Sequence, residues 1–178
     1  MKVLFLDIDG VLNSQNWFGW RAYCAKHPGI GEFATDKDLT SDDYMRYKLA
    51  MLDQRAVANL NRIIDETGCV VVLSSSWRWQ NNQKENDKIV EALRLRGFKY
   101  NFYDITPKIY MDEFGTQRGT EIKTWMDREL EMTEIESYVI LDDDNDMLPE
   151  QMDNFILVNN QYGLSDIDVF KAIEILNK

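Results

Sequence analysis

Two aspartates one residue apart, Asp7 and Asp9, follow directly on the apolar run Val3 to Leu6 in "MKVLFLDIDGVLNS". Residues two apart on an extended strand share a face, so the two carboxylates start out side by side. Gly10 then frees the backbone to turn sharply. Carboxylates this close repel, and one pKa rises unless a cation sits with them. Such a pair at the end of a buried strand is a donor set for a metal-dependent enzyme.

Two further segments place chemistry at the end of an apolar run. "VVVLSSSWR" closes on Ser74, Ser75 and Ser76, whose hydroxyls can donate to an anion or simply form a turn. "YVILDDDNDM" brings Asp142, Asp143, Asp144 and Asp146 into five positions. Oxygen ligands for Mg²⁺ explain such crowding after a buried strand better than an exposed acidic loop does.

The elements that must hold these residues alternate along the chain. Strands are predicted over 2–6, 69–74, 98–105, 137–141 and 155–158, with Phe98, Tyr100 and Phe102 alternating in the third as near a sheet edge. Between them, a helix from an Asp53 cap to Gly68 turns Val57, Leu60, Ile63 and Ile64 to one side. A second helix is predicted over 84–96, stopped by Gly97. A third, over 120–130, places Ile122, Trp125, Met126 and Leu130 on one side. The last, capped by Ser165 with Asp168 three residues on, buries Ile167, Phe170, Ile173 and Leu176. This alternation predicts an α/β, Rossmann-like three-layer α/β/α domain around a mostly parallel sheet, with ligands at the carboxyl ends of the strands.

Residues 14–52 break the rhythm and are too long for an ordinary βα connection. They read as a small cap or flap inserted into one domain spanning 1–178. Their first part carries Trp17, Phe18 and Trp20 with Arg21 and Lys26, and their second part is acidic. The aromatics could equally form a mini-core of their own.

"DIDGVLN", "VVLSSSWR" and "ILDDDNDM", each ending a predicted strand, resemble the first, second and fourth motifs of haloacid dehalogenase-like (HAD) hydrolases. With "RGTEIKTWM" and the later "GLS" the chain is most similar to the subgroup found in Swiss army knife RNA repair proteins, from Lys2 to about Ser165 and excepting 14–52. The resemblance implies Asp7 as a phosphoryl-accepting nucleophile and Asp9 as the acid and base that serves the leaving group and water. It also implies Mg²⁺ held by Asp7, Asp9 through its backbone carbonyl, and an acid of the fourth motif. Asp143 and Asp142 both fit that last place, and Asp146 could hold the ion's water shell. Ser75, with Ser74 as the alternative, fills the second motif. Arg118 stands where the third motif has a lysine, with Lys108 and Lys123 as alternatives; an arginine keeps its charge and binds oxygens as a fork. Gly10, Ser74, Ser76, Arg78 and Arg21 are candidate substrate contacts, and Trp77 reads as packing. The sole histidine, His27, has no partner ligand near it and reads as a surface residue.

The implied activity is a Mg²⁺-dependent phosphatase acting on a small phosphorylated substrate or nucleotide. The rival is a non-catalytic Mg²⁺ binder or receiver-like phosphoacceptor, but receivers place the acceptor on a middle strand and the acidic pair on the first, the reverse of this order. A nucleic-acid end is a third substrate class, disfavoured by a net charge of −11. Two distant cysteines indicate neither a disulfide framework nor a thiolate zinc site. With no signal peptide and no run of transmembrane length, a cytoplasmic protein without a membrane partner is expected.

Overall fold

The computed structural model describes residues 1–27, 51–109 and 118–178. Five parallel strands, β1 (Lys2–Leu6), β2 (Val70–Leu73), β3 (Phe102–Ile105), β4 (Ser137–Asp142) and β5 (Phe155–Leu157), form one sheet in the order β3-β2-β1-β4-β5. The first strand is therefore central. From Val3 onward it is apolar because both its faces are covered: Leu4 and Leu6 enter one core, Val3 and Phe5 the other.

Among the described residues, three helices back the first core. They are α2 (Gln54–Thr67), α3 (Gln83–Leu95) and α5 (Asp166–Leu176), which follow α1 (Gln15–Lys26) along the chain. The second core is covered by α4 (Arg118–Leu130) through Ile122 and Trp125, whose indole meets Phe5 edge-on at 5.3 Å. The expected three-layer α/β/α arrangement is thus present. Asp53 caps α2 by accepting from Arg55 N at 2.9 Å, and Gly68 ends it in the left-handed conformation. No described helix is long and apolar enough to cross a membrane.

Three local expectations are corrected. In α5 the buried stripe is Val169, Ala172 and Leu176, with Ile173 partly buried, whereas Ile167 and Phe170 are 65% and 60% exposed. Phe170 lies instead under the Arg62 guanidinium, 4.7 Å away. Leu130, the last residue of α4, is exposed as well. The third strand starts only at Phe102, because pairing with β2 starts at Val71 opposite Phe102. Phe98 nevertheless keeps ring contact with Tyr100 and Phe102 at 6.0 and 6.1 Å.

Of the 14–52 insertion, the described part is a helix. Ser14 caps α1, Trp17 is buried and Trp20 half exposed. The acidic second part, and with it the proposed cap or flap, lies outside the described residues.

Candidate active site

Parallel strands in step deliver their ends to one edge. Leu6 is level with Leu73 on one side and Leu141 on the other. The ladder continues one step further: Asp7 N donates to Leu141 O at 2.9 Å, Ser74 N to Leu6 O at 2.8 Å and Thr106 N to Leu73 O at 3.0 Å. Thr106, Ser74, Asp7 and Asp142 therefore form a row along the carboxyl edge, although up to 135 positions separate Asp7 from Asp142 in the chain.

Asp7 is buried, and Asp7, Asp142 and Asp143 each offer an oxygen within 4.8 Å of the others. Burial, reinforced by the Asp142 charge and opposed by Arg118 and a hydrogen bond from Ser75, pushes the Asp7 carboxyl up to about 8. Burial also raises Asp142, to about 6, and Asp143. Crowded carboxylates with elevated pKa values want a cation. Their all-oxygen character suits a hard one such as Mg²⁺. A further observation fits: Oδ1 of Asp146 is buried and has no hydrogen-bond partner among the described residues.

The other Asp146 oxygen explains how Arg118 arrives. It accepts from Arg118 N at 2.8 Å, while Asp146 O accepts from Gly119 N at 3.3 Å, so the acidic loop caps α4. The approach demands Gly119, since a Cβ there would lie 2.5 Å from Leu148 N. From this anchored first turn the Arg118 guanidinium reaches Asp142 at 3.4 Å and Asp7 at 3.8 Å, and is held from behind by Glu121 at 3.1 Å. Of the alternatives, Lys123 is exposed and paired with Asp127, whereas Lys108 lies 3.5 Å from Ser76 O at the rim.

The serines divide. Ser75 lies beside Asp7 and favours its ionised form, Ser74 accepts from Thr106 Oγ1 at 3.2 Å, and exposed Ser76 is 3.4 Å from Asp9 Oδ2. Gly10 has φ +69°, and a Cβ there would lie 2.2 Å from the Asp143 carboxyl carbon. Gly10→Ala is expected to lose about 1–3 kcal/mol of stability in urea titration, since both the backbone and Asp143 must shift. A loss under about 0.5 kcal/mol would mean that the Asp143 contact relaxes freely.

The two arginines among the candidate substrate contacts are buried. Arg78 is fully buried and engaged: its guanidinium donates to Thr106 O at 2.9 Å, Pro107 O at 3.2 Å, Ser75 O and Glu121. It is a strut beneath the serine turn, tying the carbonyls of Ser75, Thr106 and Pro107 to Glu121. Arg21, in the first part of the insertion, is buried on α1. His27 is exposed, stacked on Tyr23 at 4.1 Å.

Sequence reasoning passed over Asn13 and Glu121, and read Trp77 as packing, which it is, without its contact to Asp9. Asn13 Nδ2 donates to Asp9 Oδ1 at 3.0 Å and Trp77 Nε1 to Asp9 Oδ2 at 2.8 Å. Glu121 links both arginines. An isolated polar residue amid a helix or turn carries no signal of its distant partner; only "RGTEIK", with an acid inside an otherwise buried helical face, hinted at Glu121.

No curated protein and no solved structure gives a significant match to the chain. The sequence pattern described as the HAD domain in Swiss Army Knife RNA repair proteins matches residues 3–169, which takes in the whole carboxyl-edge cluster, and the chain belongs to that family.

Proposed function

We propose that this chain is a Mg²⁺-dependent phosphatase that hydrolyses a phosphomonoester through an aspartyl-phosphate on Asp7. Membership of the HAD family supports a hydrolase of the phosphatase type. The observation that carries the finer reading is the buried Asp7–Asp142–Asp143 cluster with Arg118 beside two of its members.

In this reading Asp7 attacks phosphorus as the bond to the leaving oxygen breaks, and Asp9 gives that oxygen a proton. Asp9 then takes a proton from water as the water attacks the aspartyl-phosphate, releasing inorganic phosphate. Arg118 binds non-bridging phosphoryl oxygens as a fork, and the Ser75 hydroxyl donates beside it. Asp7, Asp142, Asp143 and the Asp9 carbonyl would hold Mg²⁺, with Asp146 Oδ1 accepting from a water of its shell. The bound ion would offset the repulsion between the Asp7 carboxylate and an incoming phosphate.

The test is a panel of phosphorylated metabolites, nucleotides and oligonucleotides with terminal phosphates, each with Mg²⁺ and with EDTA. Metal-dependent phosphate release from at least one member is expected. A protein silent across the panel, yet forming a long-lived phosphoprotein with acetyl phosphate, belongs to the receiver-like alternative. The family's description includes RNA repair, which keeps oligonucleotide ends in the panel despite the charge of −11.

Metal affinity has a definite pH dependence. The ligands bind as carboxylates, but Asp7 and Asp142 hold protons up to about 8 and about 6. Mg²⁺ affinity therefore rises with pH across the 6–8 window, by up to about tenfold per unit for each proton released. Calorimetric titration in buffers of different ionisation enthalpy counts those protons. Equal affinity at both ends of the window, with none released, contradicts the cluster as the metal site.

A further inference from the structure

We propose that Trp77 and Asn13 are positioning residues that clamp the Asp9 carboxylate in its working orientation. The inference rests on the phosphatase reading and deepens it. A carboxylate held through one oxygen can still swing about its side-chain torsions. Here each oxygen has its own N–H donor: Asn13 Nδ2 on Oδ1 at 3.0 Å and Trp77 Nε1 on Oδ2 at 2.8 Å. Together they fix both the direction and the plane of the group. Ser76 Oγ, at 3.4 Å from Oδ2, is the weakest of the three contacts. A carboxylate oxygen carries two lone pairs, so Oδ1 keeps one for the proton in transit.

Both clamps are themselves held. Asn13 is buried, and its Oδ1 accepts from Gly10 N at 2.8 Å, so one amide fixes the turn after Asp9 and the carboxylate together. Trp77 is buried and its backbone N–H donates to Ser75 Oγ at 3.3 Å. A buried indole N–H must find an acceptor, but any nearby carbonyl would serve. Its choice of a carboxylate 68 positions away ties the serine turn to the first loop.

The consequence is chemical. In the first step the Asp7–phosphorus bond forms, the bond from phosphorus to the leaving oxygen breaks, and that oxygen takes the Asp9 proton. An alkoxide is a poor leaving group and depends on that proton; p-nitrophenolate leaves without it. Misplacing Asp9 therefore penalises alkyl phosphates selectively. This appears in kcat/KM, which for a two-step mechanism reports through the departure of the leaving group.

The test compares wild type, Trp77→Phe and Asn13→Asp on β-glycerol phosphate and p-nitrophenyl phosphate, both with Mg²⁺. Trp77→Phe keeps a ring and removes the N–H. Asn13→Asp keeps the acceptor for Gly10 N and replaces the donor. For each variant, the loss in kcat/KM on the alkyl ester is expected to exceed that on the aryl ester by on the order of tenfold, the worth of a hydrogen bond to a charged group. Equal losses on both esters, or none, overturn the clamp and leave Trp77 and Asn13 as packing. A wild-type protein that hydrolyses neither ester, nor any member of the broader panel, removes the phosphatase reading itself. If Trp77→Phe fails to fold, Asn13→Asp carries the same comparison.

Discussion

Asp7→Asn is expected to abolish turnover and, at the same time, to stabilise the metal-free protein. Loss of a nucleophile costs about 10⁴-fold or more in kcat. The stability effect has the opposite direction because the folded site is hostile to a charge at this position. Burial and the Asp142 carboxylate raise Asp7 from 3.8 to about 8. Between those values the folded state holds a proton that the unfolded chain has released. Asp7's contribution to stability is thus fully present below pH about 4 and declines as pH rises through about 8. An amide carries no charge to lose, so the variant's advantage in melting temperature should grow from pH 6 to pH 8. Each kcal/mol is worth about 2–4 °C in a chain of this size. Mg²⁺ reverses the ranking, since it neutralises the wild-type cluster and gains less from the variant. Thermal melts at two pH values, with and without Mg²⁺, check all of this. A variant that is less stable than wild type without metal at pH 8 would show that Asp7 is held by Arg118 and Ser75 more strongly than burial opposes it. Undiminished metal-dependent turnover would refute the nucleophile.

Glu121 should be the most costly single loss to the fold of the site. Its buried carboxylate accepts from Arg78 and from Arg118, and its second oxygen accepts from Ile109 N at 3.2 Å. Desolvation already lowers the Arg78 pKa, opposed chiefly by Glu121. Removing one partner of a buried pair leaves the other charge uncompensated, a cost of about 3–5 kcal/mol. Glu121→Gln should therefore unfold far more readily in urea. Combined with Arg78→Met it should lose less than the sum of the two single changes, because the stranded charge is gone. Strict additivity would mean that the contact carries no coupling. Turnover should fall in Glu121→Gln too, as Arg118 loses the carboxylate that holds it from behind.

These two residues also mark where sequence reading succeeds and where it stops. Asp7 was legible because its signal is local: an apolar run ending in a carboxylate identifies the tip of a buried strand. Ser75 and the acids at 142–146 follow the same rule. Strands that alternate with helices must run parallel, and parallel strands in step bring such tips to one edge. Convergence of the three segments was therefore implied before any distance was known. Spacing left open which serine faces Asp7, because one residue of difference is settled by how β2 ends; there Ser75 acts on the Asp7 carboxyl while Ser74 turns to Thr106. It also misassigned the α5 stripe. Ile167, Phe170, Ile173 and Leu176 keep helical periodicity, yet packing selected the stripe through Val169 and Ala172. The Arg78–Glu121 strut and the Trp77–Asp9 contact were invisible for a different reason. They join side chains 43 and 68 positions apart, and a polar residue does not announce which distant partner will satisfy it. Strand identity follows from near neighbours along the chain, whereas the pairing of buried charges follows from neighbours in space.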